Sequence, residues 1–197
     1  MTIHRAYNKK EKEIKTRLQD FKKVKGDDIF YELCFCLLTP QSKAYSCDAA
    51  VRELQKRKFM ISSFNPENIL QTKTRFHKTK AGYLLQAKED FGKIKENLKE
   101  DAFETREWLV KNVKGLGYKE AAHFLRNIGY ENLAILDRYI LRQLAQRKVI
   151  KEMPKALSKK MYLDIERKFK DYAKRVNIPM DELDLLFWSE GTGKIFK

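Results

Sequence analysis

The chain has 197 residues, with 42 Lys and Arg against 27 Asp and Glu, for a formal net charge of +15. A hydrophobic content of 43% with 12% aromatics excludes a disordered chain, because enough apolar surface is present to build a core. No apolar run approaches a membrane span and the first residues hold no apolar signal core, so a cytoplasmic protein without a membrane partner is expected, folded as one domain over 1–197 with two helical lobes.

A surplus of positive charge this large points to a polyanionic partner, with nucleic acid the simplest. Ribosome-associated or merely highly soluble proteins share the property, so charge alone does not choose. Cys34, Cys36 and Cys47 are few, odd in number and set in apolar surroundings, and they read as buried thiols without metal-site spacing. Three scattered histidines and no acidic cluster argue against a catalytic transition metal.

In chain order, residues 7–25 read as a charged helix with Ile14, Leu18, Phe21 and Val24 on one face. Gly26 ends it, and Asp27 can cap the next helix, 28–38, whose face of Ile29, Phe30, Leu33, Cys34 and Leu37 is strongly apolar. Pro40-Gln41-Ser42 breaks the pattern before a third helix at 43–57. Asn65-Pro66 opens a short helix through Leu70. The stretch Thr72–Lys78 is polar and basic around one aromatic, Phe76, and residues 79–97 return to helix.

Helices at 102–113 and 118–129 flank the turn Lys114-Gly115-Leu116-Gly117, giving a hairpin motif over 104–129. Gly115 and Gly117 are expected to supply positive-φ conformations and close backbone approach. The free N–H groups and the dipole at the start of the second helix make a place for a phosphate, with Lys114 beside it. Lys119 stands just inside that helix, where the dipole disfavours an ammonium and so favours a nucleophilic amine. Asp137 follows the apolar run 133–136 and precedes a helix at 138–147, as an N-cap would. Pro154 breaks the chain, a helix from Leu157 runs to residue 175, and Pro179 opens the last one, 180–189. No strand alternation is sustained, so an all-α fold is expected.

Gly115-Leu116-Gly117-Tyr118-Lys119, followed by Asp137 at this distance, resembles the helix–hairpin–helix DNA glycosylase superfamily. The stretch Gly117–Tyr130, the run Leu33–Pro40, and the end Glu182–Trp188 with Gly191-Thr192-Gly193-Lys194 are similar to its short 8-oxoguanine DNA glycosylase/lyases. The resemblance spans residues 29–197 and implies a two-lobed helical fold. It also implies a DNA repair enzyme that excises 8-oxoguanine from double-stranded DNA and cleaves the strand by β-elimination. In that branch the hairpin lysine is the nucleophile, which falls on Lys119, and the aspartate falls on Asp137.

Iron–sulfur relatives carry cysteines near the C-terminus, where this chain has none, so no such cluster is expected. No metal or cofactor is implied beyond a monovalent cation at the hairpin carbonyls, and a monomer is expected. A flipped base needs flat apolar faces, for which Phe76 and Trp188 are the candidates. Gln41 is the candidate for filling the vacated space in the duplex. Lys197 ends the chain with a carboxylate and an ammonium, and Ile195 and Phe196 could anchor it beside the base pocket, where it would tell 8-oxoguanine from guanine. Three other functions stay open at this point: a glycosylase/lyase for another damaged base, a non-enzymatic hairpin module that holds DNA, and an RNA-binding basic protein.

Overall fold

The computed structural model of the chain describes residues 2–197, and among these every regular element is helical. In order they are α1 (Ile3–Asn8), α2 (Glu11–Lys22), α3 (Asp28–Leu38), α4 (Ala44–Lys56), α5 (Glu67–Gln71) and α6 (His77–Glu89). There follow α7 (Phe91–Glu96), α8 (Ala102–Asn112), α9 (Tyr118–Asn127), α10 (Arg138–Gln146), α11 (Lys159–Val176) and α12 (Met180–Thr192). Among the described residues no helix is long and apolar enough to cross a membrane. Two compact units result: a continuous one, Val24–Phe124, and one made from both ends of the chain, 2–23 with Leu125–Lys197.

The continuous unit is built on α3. Phe30, Tyr31 and every residue from Leu33 to Leu38 are buried, so this helix is apolar almost all round and is wrapped by α4 and α6. Phe30 stacks on Phe59 with ring centroids 6.0 Å apart and meets Phe91 edge-on at 5.2 Å. Aromatic pairs of this kind add about 0.5–1.5 kcal/mol each beyond their burial.

The other unit is built on α12, in which all of Met180–Phe187 is buried. Helices α1, α2, α10 and α11 pack on it. Tyr7 donates its hydroxyl to Glu182, and Lys10 Nζ donates to Ser189 Oγ at 3.0 Å, which ties the first helices to the last. The apolar run 133–136 is buried yet irregular, and at Ala134 its backbone is satisfied by side chains. Ala134 N–H donates to Glu166 Oε1 at 2.8 Å, while the Ala134 carbonyl accepts from the Tyr162 hydroxyl. These bonds hold the segment straight up to the start of α10.

Three local expectations need correction. The helix read over 7–25 is two, α1 and α2, because the chain reorients at Lys9 and Lys10 between them. Likewise 79–97 divides at Asp90 into α6 and α7, and α6 starts two residues earlier, at His77. Asp27 precedes α3 but has helical backbone angles and makes no side-chain capping bond, so it extends the helix path instead of closing its end.

Candidate active site

In the continuous unit the hairpin joins α8 to α9. Leu116 plugs the turn with its buried side chain, and its N–H donates to the Val113 carbonyl at 3.2 Å. Gly115 lies at φ +94°, and a Cβ there would meet the Tyr83 ring at 2.5 Å, so glycine is required twice over. Gly117 does not have a positive φ, contrary to expectation; a single left-handed residue completes the reversal. Gly117 instead begins α9, its carbonyl accepting from Ala121 N–H at 2.9 Å, and it is exposed with no side chain to cover the helix end. Lys114 is exposed beside it.

Tyr118 braces the turn by donating its hydroxyl to Glu107 on α8, at 2.6 Å to Oε1. Arg106, buried on α8, lies against the Phe103 and Tyr118 rings at 5.4 and 5.3 Å. With the turn so fixed, Lys119 sits on the first turn of α9, half-buried. Its Nζ lies 3.1 Å from Glu120 Oε1, an ion pair absent from the expectations drawn from sequence. Acid at the first turn of a helix is the signal that could have found Glu120, since it complements the dipole there.

The same unit holds a cleft whose lining includes Pro40, Gln41, Phe76, Lys80, Gly115 and Glu120. Phe76 is 53% exposed, at φ +57°, immediately before α6, with the Arg75 guanidinium 5.4 Å from its ring centre. Gln41 is exposed at φ +54°. Phe76, Gln41, Gly115 and Lys119's partner Glu120 are thus gathered on one cleft. Lys80, also missed, is buried; its position on the stripe of Ala81, Leu84 and Ala87 was the available signal, since a charge on an apolar face is there for a reason.

In the other unit Asp137 caps α10: its Oδ1 accepts from Ile140 N–H at 2.8 Å, with extended backbone angles. Behind it lies buried acid. Asp184 is paired with Arg126 at 3.3 Å, and burial pushes its carboxyl up to about 7 against the pull of Arg126, with Asp137 and Asp181 adding to the rise. Trp188 is half-buried on α12, stacked on Phe196 at 6.1 Å and met edge-on by Tyr139 at 6.5 Å. The Tyr139 ring also covers Gly191, where any Cβ would collide with it. Ile195 is buried and Lys197 half-buried, so the tail is packed down next to Trp188. Among the described residues no group of His, Cys, Asp and Glu is arranged to hold a metal ion.

A family model for 8-oxoguanine DNA glycosylase matches residues 14–178. The 8-oxoguanine DNA glycosylase/AP lyase of Fusobacterium nucleatum is 44% identical, with 99% of this chain and 96% of that protein aligned. The protein of that name from Methanocaldococcus jannaschii is 39% identical over the full length of both. The crystal structure of the M. jannaschii enzyme with a 15mer DNA containing 8-oxoguanine superposes with a TM-score of 0.91 at 38% identity, covering 99% of this chain and 97% of that one. The Thermotoga maritima 8-oxoguanine DNA glycosylase superposes with a TM-score of 0.89 at 33% identity, covering 98% and 96%. A hairpin bearing Lys119, an N-cap aspartate and full-length likeness to these proteins together place the chain in the 8-oxoguanine DNA glycosylase family.

Proposed function

We propose that this protein excises 8-oxoguanine from DNA and then cleaves the strand at the abasic site, with Lys119 as the nucleophile. The observation that carries the reading is Lys119 itself, set on the first turn of α9 by a turn that requires glycine at 115, in a chain similar over its whole length to glycosylase/lyases. The Lys119 amine attacks the anomeric carbon of the sugar as the base leaves with the bonding electrons and takes up a proton. Glu120, 3.1 Å away, is a carboxylate placed to receive the proton that Lys119 sheds. Asp137 stabilises the positive charge that develops on the sugar. Ring opening gives an imine, which acidifies the neighbouring carbon; loss of that proton expels the 3′ phosphate.

Gly115, Gly117 and Lys114 serve the phosphate backbone, a sequence-independent hold that weakens with salt. Phe76 in the continuous unit, and Trp188 and Lys197 in the other, are each assigned to contact with the base, and Gln41 fills the space the base leaves. The protein acts as a monomer in the cytoplasm, on duplex DNA, and needs no cofactor; a monovalent cation at the hairpin would assist the phosphate hold. The test is borohydride reduction in the presence of an 8-oxoguanine duplex. A covalent protein–DNA adduct that also forms on an abasic duplex, but not on undamaged DNA, is expected. Base release without any adduct would overturn the lyase assignment.

A further inference from the structure

Lys80 is only 3% exposed, yet the partners of its ammonium include no carboxylate. Its Nζ donates to the Leu38 carbonyl at 2.6 Å, the Pro40 carbonyl at 2.8 Å and the Ser42 hydroxyl at 2.9 Å. Three acceptors need three N–H donors, which an ammonium has and a neutral amine lacks. Charge-assisted bonds of this length are strong and directional. The Ser42 oxygen also accepts from Arg75 N–H at 3.0 Å, so the turn is joined to the segment before α6 at a second point. Lys80's own N–H donates to the Phe76 carbonyl at 3.0 Å.

One residue is therefore bonded both to the turn that carries Gln41 and to the residue that starts α6. Gln41 and Phe76 are both left-handed at φ +54° and +57°, a conformation that non-glycine residues adopt only when their surroundings impose it. Both line the same cleft. Arg75 lies over the Phe76 ring from the segment that Ser42 holds.

We infer that Lys80 is a positioning residue for base extrusion: its ammonium pins the Thr39–Ser42 turn to the first turn of α6 and presents Gln41 and Phe76 to the duplex as a preset pair. The inference rests on the reading of the chain as a glycosylase. Preset side chains spare the ordering cost that would otherwise accompany insertion into DNA. An abasic duplex has no base to extrude or stack, so it should depend far less on the pair.

The experiment compares Lys80→Met and Ser42→Ala with the native protein in single-turnover excision of 8-oxoguanine and in borohydride trapping on a preformed abasic duplex. Lys80→Met is expected to slow excision about tenfold or more while trapping changes by less than about threefold, the scale of misplaced but intact machinery. Ser42→Ala, which keeps the ammonium and both carbonyls, should show a smaller loss in the same direction. If Lys80→Met proves unfolded by circular dichroism, Ser42→Ala decides, and an unchanged ratio of the two activities overturns the inference. Equal losses on both substrates would make Lys80 a structural residue and overturn it too. A native protein inert on 8-oxoguanine refutes the glycosylase reading, whereas a native enzyme whose variants match it refutes only the role of Lys80.

Discussion

Two buried charges, one in each unit, are held in opposite ways. In the continuous unit Lys80 has all three of its N–H bonds matched by oxygens, so the ammonium is held as part of the frame, although burial still draws it down from the usual lysine range. In the other unit Asp184 has Arg126 on one oxygen, while its Oδ1 has no hydrogen-bond partner, and its carboxyl is pushed up to about 7. A buried charge with its bonds complete stays fixed; one left incomplete titrates near neutrality. The first arrangement suits a residue that fixes backbone geometry. The second makes the charge behind Asp137 depend on pH.

Chemistry gives the sharpest way to test that division. Lys119→Gln should abolish base release and the trapped adduct while DNA affinity, measured by anisotropy, stays nearly intact, since one positive charge among many is lost. Persistent trapping would move the nucleophile elsewhere. Asp137→Asn keeps a capping side chain, because Asn caps about as well as Asp. Its melting temperature should barely change while excision slows on the order of 10²-fold or more, the scale of a lost transition-state charge contact. Retained activity with lowered stability would leave Asp137 a cap alone.

The hairpin glycines separate geometry from contact. Gly115→Ala places a side chain at φ +94° and into the Tyr83 ring, and should cost about 1–3 kcal/mol in denaturant unfolding. Gly117→Ala meets only Glu120 Oε2, at 3.1 Å. It should leave stability almost unchanged and weaken lesion and plain duplex together. Equal destabilisation by both variants would contradict the single left-handed residue in the turn.

The smallest effect concerns Asp184. Its folded value, about 7, stands above that of an unfolded carboxyl near 4, so between these pH values the native state holds a proton that the unfolded chain has lost. Stability should therefore fall as pH rises through that window and level off above it. Asp184→Asn should flatten the decline in melting temperature by a few degrees. An equally steep decline in the variant would assign it to other groups, Asp181 first, whose carboxyl burial also raises.

Much of this was legible from local pattern. The Gly-Leu-Gly turn, Lys119 behind it and the aspartate before α10 each depend on neighbours within a few residues, and each is where the pattern put it. Phe76, surrounded in sequence by Arg75, His77 and Lys78, is indeed exposed. What could not be read depends on distant partners. Lys80's place on an apolar face is visible in the sequence, but the three oxygens from residues 38–42 that meet its ammonium are not. In the irregular run 133–136, buried Ala134 is satisfied by Glu166 and Tyr162, supplied by α11. Gly117 departs from expectation for a different reason: two glycines in a turn suggest two positive φ values, but one suffices.

The unit built on α12 draws its first helices from residues 2–23 and its remainder from 125 onward. During synthesis α1 and α2 leave the ribosome first but cannot pack until α12 follows. At about 5–20 residues per second that interval is on the order of ten to thirty seconds. The middle of the chain, by contrast, has its whole core once Phe124 is out. Folding order should therefore run from the centre outward, with Ile14 and Phe21 uncovered in the meantime. Lys12, Lys15 and Lys22 on α2, with Lys9, Lys10, Lys23 and Lys25 beside it, then act as a shield against association of nascent chains, a service distinct from any they render to DNA.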